Sequence, residues 1–127
     1  MVSLHYKGNA ASEETHGLIG KGVIFDAGGI NIKQTGIYID YKLIVGMCEG
    51  MFLDKHGACS VLMGFKALVE TKTNVNVVCT VGLVENMLGS KAYHPSDIIQ
   101  SHKGLTVEIG NTDAEGRLVL CECMSWT

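Results

Sequence analysis

A chain of 127 residues with 46% hydrophobic content is long enough for one ordinary domain with its own core. Ten basic and thirteen acidic side chains leave a formal charge of −3 with no basic block, which argues against a nucleic-acid surface. No apolar run is long enough for a bilayer and Met1 to Lys7 has no signal-peptide character, while Cys48, Cys59, Cys79, Cys121 and Cys123 contain no C-x-x-C pair and read as reduced, mostly buried thiols of the cytosol.

Residues 1–16 are expected to form a short strand followed by a polar connector, with residues 17–127 as the main unit. Gly17 to Asp26 reads as a buried strand ending in the turn Asp26-Ala27-Gly28-Gly29. Ile30 to Lys33 alternates apolar and polar residues, as a short half-buried strand would. Gln34 to Asp54, interrupted by Gly36, Gly46 and Gly50, reads as irregular with one strand near Ile37–Val45. From Gly57 to Lys72 the spacing of Ala58, Val61, Leu62, Phe65, Leu68 and Val69 predicts an amphipathic helix. Val75 to Val84 is β-branched and apolar on both faces, which suits a central parallel strand. A loop is expected from Glu85 to Ser96, then a hairpin of Ile98-Ile99 with Leu105–Ile109 about the turn Ser101–Gly104. A last helix begins near Asp113. This alternation predicts an α/β fold of three layers, a mostly parallel sheet flanked by helices.

The densest chemistry lies in Asn111-Thr112-Asp113-Ala114-Glu115-Gly116-Arg117. Thr112 to Glu115 fits a capping box, with Thr112 as N-cap and Glu115 reaching back to a free amide. Acids also suit the positive end of a helix. Upstream, Asp26 ends a predicted strand, and Lys21 and Lys33 flank it. Reactive groups of open α/β sheets gather where strands give way to loops. Asp26, Asp113 and Glu115 with two lysines at one rim would suit hard, oxygen-preferring divalent cations. On local sequence, Asp26 is equally a turn former and the lysines solvated strand-end charges. The five histidines have no metal-ligand spacing. Gly17-x-x-Gly20-Lys21-Gly22 hints at a phosphate loop, but its glycines stand too close and Gly22 replaces the magnesium-binding hydroxyl residue.

Taken together, Gly20-Lys21-Gly22-Val23-Ile24-Phe25-Asp26-Ala27-Gly28-Gly29-Ile30-Asn31-Ile32-Lys33 and Asn111 to Leu118 resemble the two signatures of the leucyl aminopeptidases, the cytosolic M17 metallopeptidases. Glu85-Asn86-Met87, Pro95-Ser96-Asp97-Ile98 and Lys103 to Ile109 resemble the segments between them, so the likeness runs from about Gly17 to the end. The resemblance implies a cytoplasmic metalloexopeptidase acting on peptides with leucine-type N-termini, assembled as a hexamer. It also implies two divalent metals (zinc, manganese or magnesium). By the same likeness Asp26 and Glu115 would bridge the ions, Asp113 would complete one shell, and Lys21 and Asp54 would serve the other. Lys33 would polarise the scissile carbonyl, and Arg117 would hold a bicarbonate.

The sequence departs from that pattern in two ways. The segment that resembles the helix start after Asp54 arrives roughly ten residues late, an apparent insertion near Leu43 to Leu53; Asp40 resembles a non-ligand acid just upstream. The family also carries an N-terminal domain and further strands and helices beyond the last one here. The expectation is therefore a partial catalytic domain. The rival expectations are a non-catalytic fragment that keeps the fold and one metal, and a nucleotide-binding α/β module resting on Gly20-Lys21-Gly22 alone.

Overall fold

The structure is a computed structural model that describes residues 1–34, 37–39, 42–44 and 48–127, with backbone alone at 37–39 and 42–44. Asp40 and residues 45–47 of the apparent insertion lie outside the described residues. In chain order the elements are β1 (Val2–Lys7), β2 (His16–Asp26), β3 (Ile37–Ile39), β4 (Lys42–Ile44), α1 (His56–Glu70), β5 (Asn76–Asn86), β6 (Ile98–Gln100), β7 (Thr106–Glu108) and α2 (Glu115–Trp126). Single 3-10 turns at Met51–Leu53 and Thr112–Ala114 precede the two helices.

The main sheet has the order β1-β5-β2, with β5 parallel to β2 and antiparallel to β1. The central place of β5 explains its sequence. Val77, Cys79, Thr80 and Val81 are all 2% exposed or less, so both of its faces are covered. It runs on to Asn86, two residues into the expected loop.

Successive residues of a strand face opposite sides, and here each side meets one helix. Ala58, Val61, Leu62 and Phe65 of α1 pack on Leu18, Cys79 and Val81. That approach depends on Gly20, where a Cβ would stand 2.8 Å from the Cα of Ala58. On the opposite side, any Cβ at Gly82 would collide with Val119 of α2 and stand 3.1 Å from the Cys123 sulfur. The result is a three-layer α/β arrangement with a helix on each face of the sheet.

Several sequence expectations need correction. Ile30 to Lys33 is not a strand. Gly28 and Gly29 take φ of 91° and 65°, the left-handed region open to glycine, and the Lys33 N–H closes the turn on the Ala27 carbonyl at 2.9 Å. The region after Gln34 holds two short paired strands, β3 and β4, rather than one. Val69 is 39% exposed and lies off the buried stripe of α1. Only Cys79 and Cys123 are buried; Cys59 and Cys121 are exposed. The hairpin of β6 with β7 forms as expected.

Candidate metal and catalytic site

Lys21 and Asp26 lie five residues apart on β2, an odd separation that in a regular strand puts two side chains on opposite faces. The strand is not regular. Val23 pairs with Val84 and Asp26 with Asn86, so β2 takes three steps where β5 takes two. This β-bulge, a device common beside active sites, turns Asp26 to the α2 side already faced by Lys21. Glu115 arrives on that side from the first turn of α2, and Asp54 comes from the turn ahead of α1.

The four groups meet. Lys21 Nζ lies 2.8 Å from Asp54 Oδ2 and 3.0 Å from Glu115 Oε1. Lys33 Nζ lies 2.9 Å from Asp26 Oδ2 and 2.5 Å from Asp113 Oδ1. Carboxylate oxygens of Asp26, Asp54 and Glu115 come within 4.8 Å of one another. Asp113 joins this group through Lys33 rather than directly. Arg117 does not join it: exposed, and roughly 200° around the helix from Glu115, it borders a cleft with Ile109, Gly110 and Asn111. Among the described residues it has no ion-pair partner within 4 Å.

The pairing shifts the protonation equilibria. Burial works against the Lys33 ammonium, but Asp113 and Asp26 outweigh it and carry its pKa up to about 12. Burial likewise opposes the Asp26 carboxylate, yet Lys33, Asn86 and the Gly28 N–H hold it below the usual carboxylate range. Lys21 is raised, burial being outweighed by Asp54 and Glu115. Tyr93 is raised by burial and by the neighbouring charges of Glu115, Asp26 and Asp113.

The capping box does not form as expected. Asn111, not Thr112, is the N-cap, its side chain accepting from the Asp113 N–H at 2.8 Å. Glu115 points to Lys21 and Asn86 instead of back to an amide. Thr112 is fully buried, and its hydroxyl donates to the Gly28 carbonyl at 2.7 Å. Tyr93 Oη donates to the Thr112 carbonyl at 2.6 Å. Periodicity gave no sign of Asn31, Tyr93 or Thr112 as site residues. Asn86 did leave a trace, as a polar residue closing an apolar strand at its carboxyl end.

The donor set fits a divalent cation. Four carboxylates facing two ammonium groups leave an excess of negative charge, and all the acidic donors are hard oxygens. Glu115 is only 6% exposed, and its Oε1 has Lys21 as an ion-pair neighbour but accepts no hydrogen bond. With Lys21 as its one charged neighbour, that buried carboxylate oxygen keeps a lone pair open to a further partner such as a cation.

A family model described as the cytosol aminopeptidase family, catalytic domain, matches residues 1–127 and so carries the likeness back from Gly17 to the first residue. The chain is 47% identical over 126 residues to a probable cytosol aminopeptidase of Saccharophagus degradans, covering 99% of this chain and 23% of that protein. The solved leucine aminopeptidase of Caenorhabditis elegans superposes with a TM-score of 0.83 at 35% identity, over 98% of this chain and 23% of its own. The bottromycin maturation enzyme BotP in complex with Mn gives 0.78 at 33% identity, over 94% and 24%. The chain therefore spans about a quarter of the length of the relatives it matches. With the match running from its first residue to its last, the chain belongs to the cytosol aminopeptidase family and falls within that family's catalytic domain.

Proposed function

We propose that this chain carries the active region of a metal-dependent aminopeptidase, which removes N-terminal residues of leucine type from peptides. The observation that carries this reading is the convergence of Lys21, Asp26, Asp54 and Glu115, with Asp113 linked through Lys33. In this reading Asp26 and Glu115 would contribute to holding both of two divalent ions, Lys21 (as the neutral amine) and Asp54 would help to hold one, and Asp113 would help to hold the other. Zinc, manganese and magnesium all suit the donors, and the BotP complex with Mn supports manganese as the first to try. Ions held there would supply Lewis acidity to a carbonyl and acidify a coordinated water.

The remaining roles fall to the protein. Lys33 is only 11% exposed at its side chain and is fixed between two carboxylates, so its charge is directed rather than wandering. Placed beside the scissile carbonyl, it would stabilise the oxygen as that atom becomes anionic. The acids keep the lysine protonated across the working pH range. Arg117 would hold a bicarbonate from its position beside Gly110 and Asn111. Residues 1–16 would serve as edge strand and connector to the catalytic unit 17–127, joined to it by the pairing of β1 with β5 in one sheet. Hexamer assembly and a cytoplasmic location belong to the same proposal; no helix among the described residues is long and apolar enough to cross a membrane.

One observation favours a second reading. With both lysines charged, two excess negative charges balance one divalent cation rather than two, as a non-catalytic chain with a single metal would require. Hydrolysis of leucine amide with added manganese or zinc, on this chain and on one of the relatives' full length, tests the first reading. Activity that Asp113→Ala abolishes is expected. Activity that survives the substitution, or none in the longer chain, overturns it. Calorimetric titration separates the readings by stoichiometry, two ions against one.

A further inference from the structure

We infer that Asn86 is a positioning residue for the acid cluster, a neutral clamp that sets which oxygen of Asp26 and of Glu115 faces a bound cation. This inference rests on the metal-centre reading above. Asn86 is 4% exposed and is the strand partner of Asp26 across the bulge. Its amide nitrogen lies 2.8 Å from Asp26 Oδ1, 2.9 Å from the Thr112 carbonyl and 3.2 Å from Glu115 Oε2. An amide has two N–H bonds, so three acceptors share them. Its own backbone carbonyl accepts the Ala27 N–H at 2.9 Å, which ties the clamp to the turn after Asp26. Gly29 leaves room for the carboxamide oxygen: a Cβ there would stand 2.8 Å from it.

The consequence concerns the oxygens that remain. With Asp26 Oδ1 and Glu115 Oε2 held by Asn86, the inward pair is Asp26 Oδ2 and Glu115 Oε1. The latter is the buried oxygen that accepts no hydrogen bond. Two carboxylates this close repel each other, and something must hold them. A lysine or arginine at this position would also hold them, but it would cancel charge needed for a cation. An amide holds both acids and leaves their charge intact. Partners that orient metal ligands in this way typically contribute 10- to 100-fold in affinity.

The test is calorimetric titration of the 127-residue chain with Mn²⁺, alongside thermal melts in chelator. Asn76, at the other end of β5, is the control. It is 8% exposed and also makes three hydrogen bonds, to Asn9, Ser12 and Glu14, far from the acids. Asn86→Ala is expected to weaken Mn²⁺ binding by about tenfold or more. Asn76→Ala is expected to lower the melting temperature and leave Mn²⁺ affinity unchanged. Asn86→Ser, which keeps one donor but cannot span both carboxylates, gives a folded second variant with an intermediate loss. Wild-type affinity in both Asn86 variants, or an equal loss in Asn76→Ala, overturns the inference alone. A wild-type chain that takes up no Mn²⁺ overturns the metal reading and this inference with it.

Discussion

Asn31 and Thr112, 81 residues apart, hold each other by two hydrogen bonds running in opposite directions. The Asn31 N–H donates to Thr112 Oγ1, and the Thr112 N–H donates to Asn31 Oδ1, each at 2.8 Å. The pair joins the turn after Asp26 to the turn that carries Asp113. Thr112→Val keeps the shape and removes the hydroxyl, stranding the buried Gly28 carbonyl that it serves. The expected cost is about 1–3 kcal/mol, read as a lower urea midpoint at unchanged slope. A loss below about 0.5 kcal/mol, the range of neutral surface changes, would mean that the clasp contributes nothing.

Gly116 separates stability from metal binding. A Cβ at this position would come within 2.8 Å of Lys21 Cε and 2.9 Å of its Nζ. Lys21 is flexible and can move aside, but then it leaves Asp54 and Glu115. Gly116→Ala is therefore expected to leave global stability within about 1 kcal/mol, since alanine favours the helix by a similar amount. Its Mn²⁺ affinity should still fall severalfold. Unchanged affinity would mean that the position of Lys21 is immaterial to the cluster.

Metal supply and removal should move the melting temperature. A ligand present at one hundred times its dissociation constant stabilises the folded state by about 2.7 kcal/mol. Added Mn²⁺ should raise the melting temperature, and excess chelator should reverse the rise. Glu115→Gln keeps the side-chain volume but removes the charge, and it should abolish the response. A response that persists in Glu115→Gln would place the ion elsewhere.

The lysine–acid pairs also set the pH range of stability in chelator. The folded pKa of Lys33, about 12, lies above its ordinary 10.5. Its stabilisation is therefore complete below pH 10.5 and is lost as pH rises through 12. The size is about 2 kcal/mol, at 1.36 kcal/mol per unit. Asp26 works in the other direction: its folded pKa lies below the ordinary 3.8, so its contribution holds above that pH and is lost on further acidification. Melts of wild type and Lys33→Met between pH 9 and 12.5 should converge as the pH rises. Parallel curves would mean that the pairing carries no net stabilisation.

How much of this was legible in the sequence depends on the range of the signal. Helix α1, strand β5 and the β6–β7 hairpin follow from local periodicity and turn residues, and they fold where expected. Lys21, Asp26, Asp54, Asp113 and Glu115 were named from a resemblance of whole blocks, and they lie in one cluster or one ion pair from it. Ile30 to Lys33 failed because alternation cannot see the positive φ of Gly28 and Gly29. The capping box failed because the Thr112 hydroxyl is taken by Gly28 and Asn31, and Lys21, distant in sequence, draws Glu115 away. Tyr93 stayed silent and Asn86 left only a trace, because their roles depend on contacts made only once the strands and turns are assembled.

The bulge in β2 has a consequence for how the chain tolerates changes in length. Parity counted from Lys21 consigns Asp26 to the apolar layer beneath α1; the backbone's extra step rescues it. Removing one residue at Ile24, itself 42% exposed, would leave an even spacing that reaches the α2 side without any irregularity. Adding one there also gives an even spacing, but it carries the carboxylate two residues past Asn86 unless a second irregularity takes up the excess. Indels at this point are thus unequal, and the sidedness of the cluster is a property of strand arithmetic before it is a property of any side chain.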